Sequence, residues 1–274
     1  MSEKRTVFFI SDRTGITAET LGHSLLTQFD SFEFNQKTIP FINSVDKARQ
    51  AVEAIDREAS QSGRRPIIFS TTVSDEIRDV LRTSGALFLD FFDTFIGPLE
   101  QELKVRSSHT SGRAHGMTDR AGYQIRIDAM NYALSHDDGI TTRSFERADV
   151  ILMAPSRCGK TPTCLYLAMH HGIFAANYPL TDEDLERARV PEPLVRHERK
   201  LYGLTIDPER LHQVRSERRP ASRYASPAQC SYEVRQSEAL YRREAIPYTD
   251  TTSISVEEIA TLIIQEKGLQ RRFF

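Results

Sequence analysis

Apolar positions in the N-terminal third fall alternately into short β-rich runs and helical spacings. Thr6-Val7-Phe8-Phe9-Ile10 is a strand-type run ending at the polar loop Ser11-Asp12-Arg13-Thr14-Gly15, and a helix is predicted from there through about Phe29. Ile39 to Ile42 is a second short apolar run. After Asn43-Ser44, residues Ala48, Ala51, Val52, Ile55 and Ala59 mark one face of a helix that Gly63 stops. Pro66-Ile67-Ile68-Phe69 reads as a third strand. Ser74 with Asp75 and Glu76 then opens a helix bearing Ile77, Val80 and Leu81, which Gly85 ends ahead of the run Ala86-Leu87-Phe88-Leu89. Strand and helix alternating at this spacing imply an α/β domain around a mostly parallel sheet.

From Lys104 to Gly122 the chain turns to Ser, His, Arg, Gly and Thr, with few apolar residues. This stretch is read as a linker or mobile loop over residues 106–122, separating an N-terminal α/β domain at 1–105 from a second α/β domain at 123–274. In the second, Ile125, Ala129, Tyr132 and Ala133 suggest a helix. The polar turn His136-Asp137-Asp138-Gly139 follows, and Asp149 to Met153 is a buried-type strand. Leu201 to Ile206 and Ile246 to Thr251 are further strand candidates, and Ser255-Val256-Glu257-Glu258 is a capping box opening the last helix. No internal repeat is visible.

The 274 residues, 39% hydrophobic and 27% charged, are ordinary for a globular chain, which sets aside disordered and fibrous classes. Lys and Arg number 36 against 38 Asp and Glu, a net charge of −2, so no global basic field exists to hold nucleic acid or an anionic membrane. The longest apolar stretch, Ala86 to Leu99, is broken by Asp90 and Asp93, whereas about 18 apolar residues are needed to cross a bilayer. No signal-peptide core follows Met1, and Cys158, Cys164 and Cys230 show no CxxC spacing. A cytoplasmic protein is expected.

The chemistry concentrates directly after the strand at 149–153, in Ala154-Pro155-Ser156-Arg157-Cys158-Gly159-Lys160-Thr161, ahead of a helical pattern. This is the strand, loop and helix context of a phosphate-binding loop. Backbone N–H groups wrap phosphate oxygens, Lys160 bridges them, and the Thr161 hydroxyl is placed to ligate Mg²⁺. Ala154 stands where the pattern has its first Gly, which limits backbone freedom but removes no donor. Asp207, at the end of the run 201–206 and before Pro208, is equally readable as a Walker B carboxylate for Mg²⁺ or as a helix N-cap.

Asp137 and Asp138 could orient an attacking hydroxyl and take its proton, or serve simply as good turn formers, and the two readings are even. His136 is more readily structural than a proton donor. Arg210, Arg215, Arg218, Arg219 and Arg223 suggest, as a cluster, a lid over transferred phosphate, although each alone reads better as a solvated charge. The loop from Ser11 to Thr17 is either an anion site or an ordinary strand-to-helix turn.

Taken together, six motifs resemble the phosphoenolpyruvate synthase regulatory protein family, related to the pyruvate phosphate dikinase regulatory proteins. In order they are Ser11 to Gly15, His136 to Gly139, Ser156 to Thr163, Ala175-Ala176-Asn177-Tyr178-Pro179, Gly203 to Pro208 and Ser222-Arg223-Tyr224-Ala225. The resemblance covers essentially the full chain. It implies a P-loop kinase-like second domain in a bifunctional enzyme. One activity phosphorylates a threonine of phosphoenolpyruvate synthase with ADP as donor, inactivating it. The other reactivates the target by phosphorolysis, in which inorganic phosphate leaves as pyrophosphate.

On this reading Ala154 to Thr161 match the family's ADP-binding loop, where the family usually has Gly in place of Ala154. Lys160 and the loop amides hold the β-phosphoryl group, Thr161 with Asp207 holds Mg²⁺, and Asp137 or Asp138 orients the threonine hydroxyl. Alternatives are the same chemistry on the dikinase, a nucleotide-gated binding protein, or a small-molecule kinase using ATP. A homodimer fits the family's tendency and the apolar Phe91, Phe92, Phe95 and Ile96, which core packing explains equally well.

Overall fold

The computed structural model describes residues 3–108 and 120–272, and the chain divides into two compact units, Met1–Gly116 and Met117–Phe274. Most of the linker read at residues 106–122 lies outside the described residues.

The first unit alternates β1 (Glu3–Ile10), α1 (Ile16–Leu26), β2 (Phe32–Ile39), α2 (Val45–Ser62), β3 (Ile67–Ser70), α3 (Asp75–Arg82), β4 (Leu87–Asp90) and α4 (Phe91–Leu103). The strands pair in parallel in the order β2-β1-β3-β4. Helices cover both faces, because successive side chains on a strand point to opposite sides. Phe8, Ile10 and Ile68 pack under α2 and α3, while Val7, Phe9 and Phe69 pack with Ala18 and Leu26 of α1.

Three details depart from the sequence reading. The first helix ends at Leu26, short of Phe29. The run Ile39–Ile42 marks only the end of β2, whose mostly polar body Phe32–Thr38 is an edge strand paired on one side, where polar residues can face water. The helix α4 was not foreseen: it follows β4 directly, Asp90 caps it, and Pro98 sits inside it. None of its residues is fully buried, and Phe95 is 60% exposed, so core packing does not by itself account for this apolar cluster.

The second unit begins with α5 (Arg120–Ser135) and continues through β5 (Val150–Ala154), α6 (Lys160–His171), β6 (Ala175–Pro179) and α7 (Asp182–Arg187). After them come β7 (Leu201–Thr205), α8 (Pro208–Arg218), α9 (Pro227–Arg243), β8 (Tyr248–Asp250) and α10 (Val256–Lys267). Its strands are again all parallel, in the order β6-β5-β7-β8, so both units share one winding and the predicted α/β class holds for each. Every residue of β5 is buried, with Val150, Leu152 and Ala154 in one core and Ile151 and Met153 in the other. That burial on both faces explains its unbroken apolar sequence. The capping box read at Ser255 and Glu258 is present on α10. Among the described residues no helix is long and apolar enough to cross a membrane.

Gly203 has a packing reason within β7. The ring of Tyr241 from α9 lies so close that a Cβ at this position would stand 2.7 Å from it. That approach lets the buried Tyr241 hydroxyl donate to Met153 O at 2.8 Å, anchoring β5 just before its functional loop. Gly203→Ala is therefore expected to destabilise the fold by about 1–3 kcal/mol through overpacking, read as a lower denaturant midpoint; an unchanged midpoint would show that the ring shifts freely.

Candidate functional site

The first strand of each sheet lies between the second and third, so the connection that leaves the first strand runs one way along the sheet and the one that leaves the third runs the other. Crevices at such switch points are where α/β sheets take ligands. In the second unit the switch point carries residues 154–161, placed by the rigid β5. The turn runs through left-handed backbone at Arg157 (φ 75°) and Gly159 (φ 85°), and α6 starts at Lys160. An added Cβ at Gly159 would meet open space, so the backbone angle alone favours glycine there. Pro162 is tolerated because N–H groups in the first turn of a helix have no partner within it.

Lys160 is 4% exposed, and its ammonium donates to the loop carbonyls of Ala154 (3.2 Å) and Pro155 (3.0 Å). Burial lowers its pKa, while Asp138 and, to a smaller extent, Asp137 act to raise it, which places both carboxylates in its field. Ala154 and Cys158 are buried, and burial pushes the Cys158 thiol up to about 12, so it is not a thiolate at neutral pH.

The acidic turn 137–139 meets the loop directly. Thr161 Oγ1 donates to Asp137 Oδ1 at 2.7 Å. Asn177, fully buried on β6, donates its side-chain N–H to that same oxygen and accepts the Asp138 N–H at 2.8 Å. One amide thus holds both acids in register with the loop. Asp138 is exposed and sits at φ 47°, left-handed backbone that aspartate adopts more readily than most residues. His136 is buried instead. Its ring nitrogens face Tyr132 O (2.9 Å) and Arg143 O (2.7 Å) and its ring stacks on Tyr132, so it staples the turn and does not face the loop as a proton donor.

Asp207 caps α8, its Oδ1 accepting from the N–H groups of Glu209 (2.9 Å) and Arg210 (3.0 Å), so the N-cap reading is the one displayed. The arginine cluster separates. Arg210, Arg218, Arg219 and Arg223 are exposed, whereas Arg215 is fully buried and paired with Glu233. A cleft of about 330 Å³ lies beside Ser156, lined by Arg223, Tyr224, Asp182 and Gln229 among others.

The roles of Asn177, Tyr224 and Glu233 were not assigned from sequence, and Arg215, read there with the lid cluster, is buried under the loop instead. Asn177 carried a signal: a polar residue in the middle of the strand-like run Ala175-Ala176-Asn177-Tyr178-Pro179. In the first unit the loop Ser11–Gly15 occupies the equivalent switch point, with Gly15 at φ 84°, and Ser11 Oγ accepts the Arg13 N–H.

A relative from Alkalilimnicola ehrlichii is 61% identical over 271 residues, 99% of this chain and 98% of its own length. Another from Halorhodospira halophila is 56% identical over 273 residues, 99% of this chain and all of its own. Both are provisionally named phosphoenolpyruvate synthase regulatory proteins. Residues 7–264 match the kinase/pyrophosphorylase family, and the chain belongs to that family.

Proposed function

We propose that this chain regulates phosphoenolpyruvate synthase in both directions, phosphorylating a threonine of that enzyme from ADP and removing the phosphoryl group with inorganic phosphate. The observation that supports this reading is the hydrogen-bonded line from Thr161 through the Asp137 carboxylate and Asn177 to the Asp138 N–H, which ties the acidic turn to the loop. The provisional names of the relatives support the target.

In the forward step the threonine oxygen attacks the β-phosphorus of ADP, the bond from that phosphorus to the bridging oxygen breaks, and AMP leaves. The exposed Asp138 orients the hydroxyl and takes its proton. Lys160 turns from its loop carbonyls to the transferred group and offsets the charge it gathers. In the reverse step an oxygen of inorganic phosphate attacks the phosphothreonine phosphorus, the threonine oxygen leaves with a proton returned by Asp138, and pyrophosphate forms.

The residues present fit Mg²⁺. Because Thr161 spends its proton on Asp137, its lone pairs are left for a cation, with the Asp137 charge behind them. Nucleotide-linked Mg²⁺ needs only one or two carboxylates beside substrate phosphates. When bound, it would neutralise phosphate charge; the α8 cap takes only Oδ1 of Asp207, which leaves its second oxygen to join Thr161.

Phosphorylated synthase incubated with this chain and ³²P-labelled inorganic phosphate is expected to yield labelled pyrophosphate, resolved by chromatography. Release of unlabelled phosphate with no need for added phosphate would instead mean hydrolysis and refute the phosphorolytic half.

A further inference from the structure

The phosphate loop is braced from behind by Lys160 and by further groups that the proposed chemistry does not use. Three consecutive carbonyls face cations: those of Ala154 and Pro155 accept from Lys160, and that of Ser156 accepts from Arg215 Nε (3.3 Å) and Nη2 (3.0 Å). Arg215, fully buried on α8, also donates from Nη1 and Nη2 to the two carboxylate oxygens of Glu233 on α9, at 3.0 and 2.6 Å. Its Nη1 donates further to Tyr224 O at 3.0 Å. Tyr224 completes the circuit, with its ring 4.2 Å from the guanidinium and its hydroxyl 3.0 Å from Ser156 Oγ.

A buried ion pair is poor evidence of stability, since a well-packed apolar pair of similar size often does as well. What an apolar pair could not supply is this set of directed donors. The planar fork of Arg215 reaches a loop carbonyl, a carboxylate and a turn carbonyl at once, which no lysine geometry matches. The turn it holds, 222–225, is the one that carries the exposed Arg223 to the cleft beside Ser156.

We infer that Arg215, Glu233 and Tyr224 form a positioning assembly that fixes Ser156, the third residue of the phosphate loop, for the terminal phosphate of a nucleoside diphosphate or pyrophosphate, and that ties the loop to the turn bearing Arg223. The inference rests on the nucleotide reading proposed above. All three residues act through the loop and none is assigned to the reacting atoms.

Tyr224→Phe is the cleanest test, because it removes one hydroxyl at a half-buried position and leaves the ring on the guanidinium. Dissociation constants for ADP and for pyrophosphate, measured by calorimetry together with the melting temperature, separate positioning from structure. Without that tether the loop holds its binding geometry in about one folded molecule in five, which predicts about fivefold weaker binding with the melting temperature lowered by no more than a few degrees. Arg215→Lys, which keeps the charge but loses the fork, is expected to weaken binding about 30-fold on the folded fraction, as the loop then holds its geometry in about one folded molecule in 30. A purely structural role would lower the melting temperature and leave the affinity of the folded fraction untouched, and native affinity in both variants would overturn the inference while sparing the proposed function. If the native chain bound none of ADP, ATP and pyrophosphate, the nucleotide reading and this inference would fall together.

Discussion

Asp138→Asn is expected to bind ADP as tightly as the native chain and to transfer the phosphoryl group about 10²- to 10⁴-fold more slowly, the usual worth of a general base. The geometry separates the two acids. Asp137 Oδ1 already receives Thr161 and Asn177, so its charge is directed to the loop. Asp138 stands exposed on left-handed backbone, its N–H held by Asn177 and its carboxylate open to solvent. Because asparagine keeps the shape and tolerates positive φ, the substitution isolates the loss of charge and proton acceptance. Asp137→Asn should differ in kind, weakening Mg²⁺-dependent nucleotide binding as well as transfer. Single-turnover transfer with saturating ADP distinguishes them, and native rates in both variants would remove the acids from the chemistry.

Lys160→Ala is expected to lower transfer by about three orders of magnitude and to weaken ADP binding about 100-fold. Among the described residues the ammonium is the one cation donating to the carbonyls of both Ala154 and Pro155, and it is 4% exposed, so no water substitutes freely for it. Removing it takes away the phosphate's charge partner and leaves two loop carbonyls in need of a donor. Lys160→Arg should not rescue the loss, since a larger planar group does not fit the buried position of a compact ammonium. Equilibrium binding and initial rates measured on the same preparations test both halves; near-native rates would place the donor phosphate elsewhere.

Features carried by contiguous residues were legible in the sequence. The strand, loop and helix around Lys160 occupy one stretch, and the continuous apolar run of β5 announced a strand buried on both faces. Contacts across the fold were not legible. Nothing in the spacing of Thr161 and Asp137 says that they touch, nor that Asn177 joins them from a third element. Arg215 looked like its exposed neighbours because burial depends on the packing of α8 against α9, not on local pattern. Asp207 was ambiguous for a physical reason: an acid between a strand end and a proline suits a cation and a helix cap equally, and the N–H groups accepted by Oδ1 display the cap. The shared winding of the two sheets also escaped notice. Parallel α/β units repeat a geometry of alternating elements, and unrelated apolar sequences satisfy it equally well.

The central claim is that the β-phosphoryl group of ADP reaches a threonine of phosphoenolpyruvate synthase through the loop at 154–161. It is tested most directly by incubating purified synthase with this chain and ADP labelled at the β position, beside γ-labelled ATP and the Lys160→Ala variant. Label from ADP on a single threonine, with AMP formed in equal amount and none with the variant, is the predicted result. Label arriving only from ATP, or nucleotide binding with no transfer to the synthase, would contradict it.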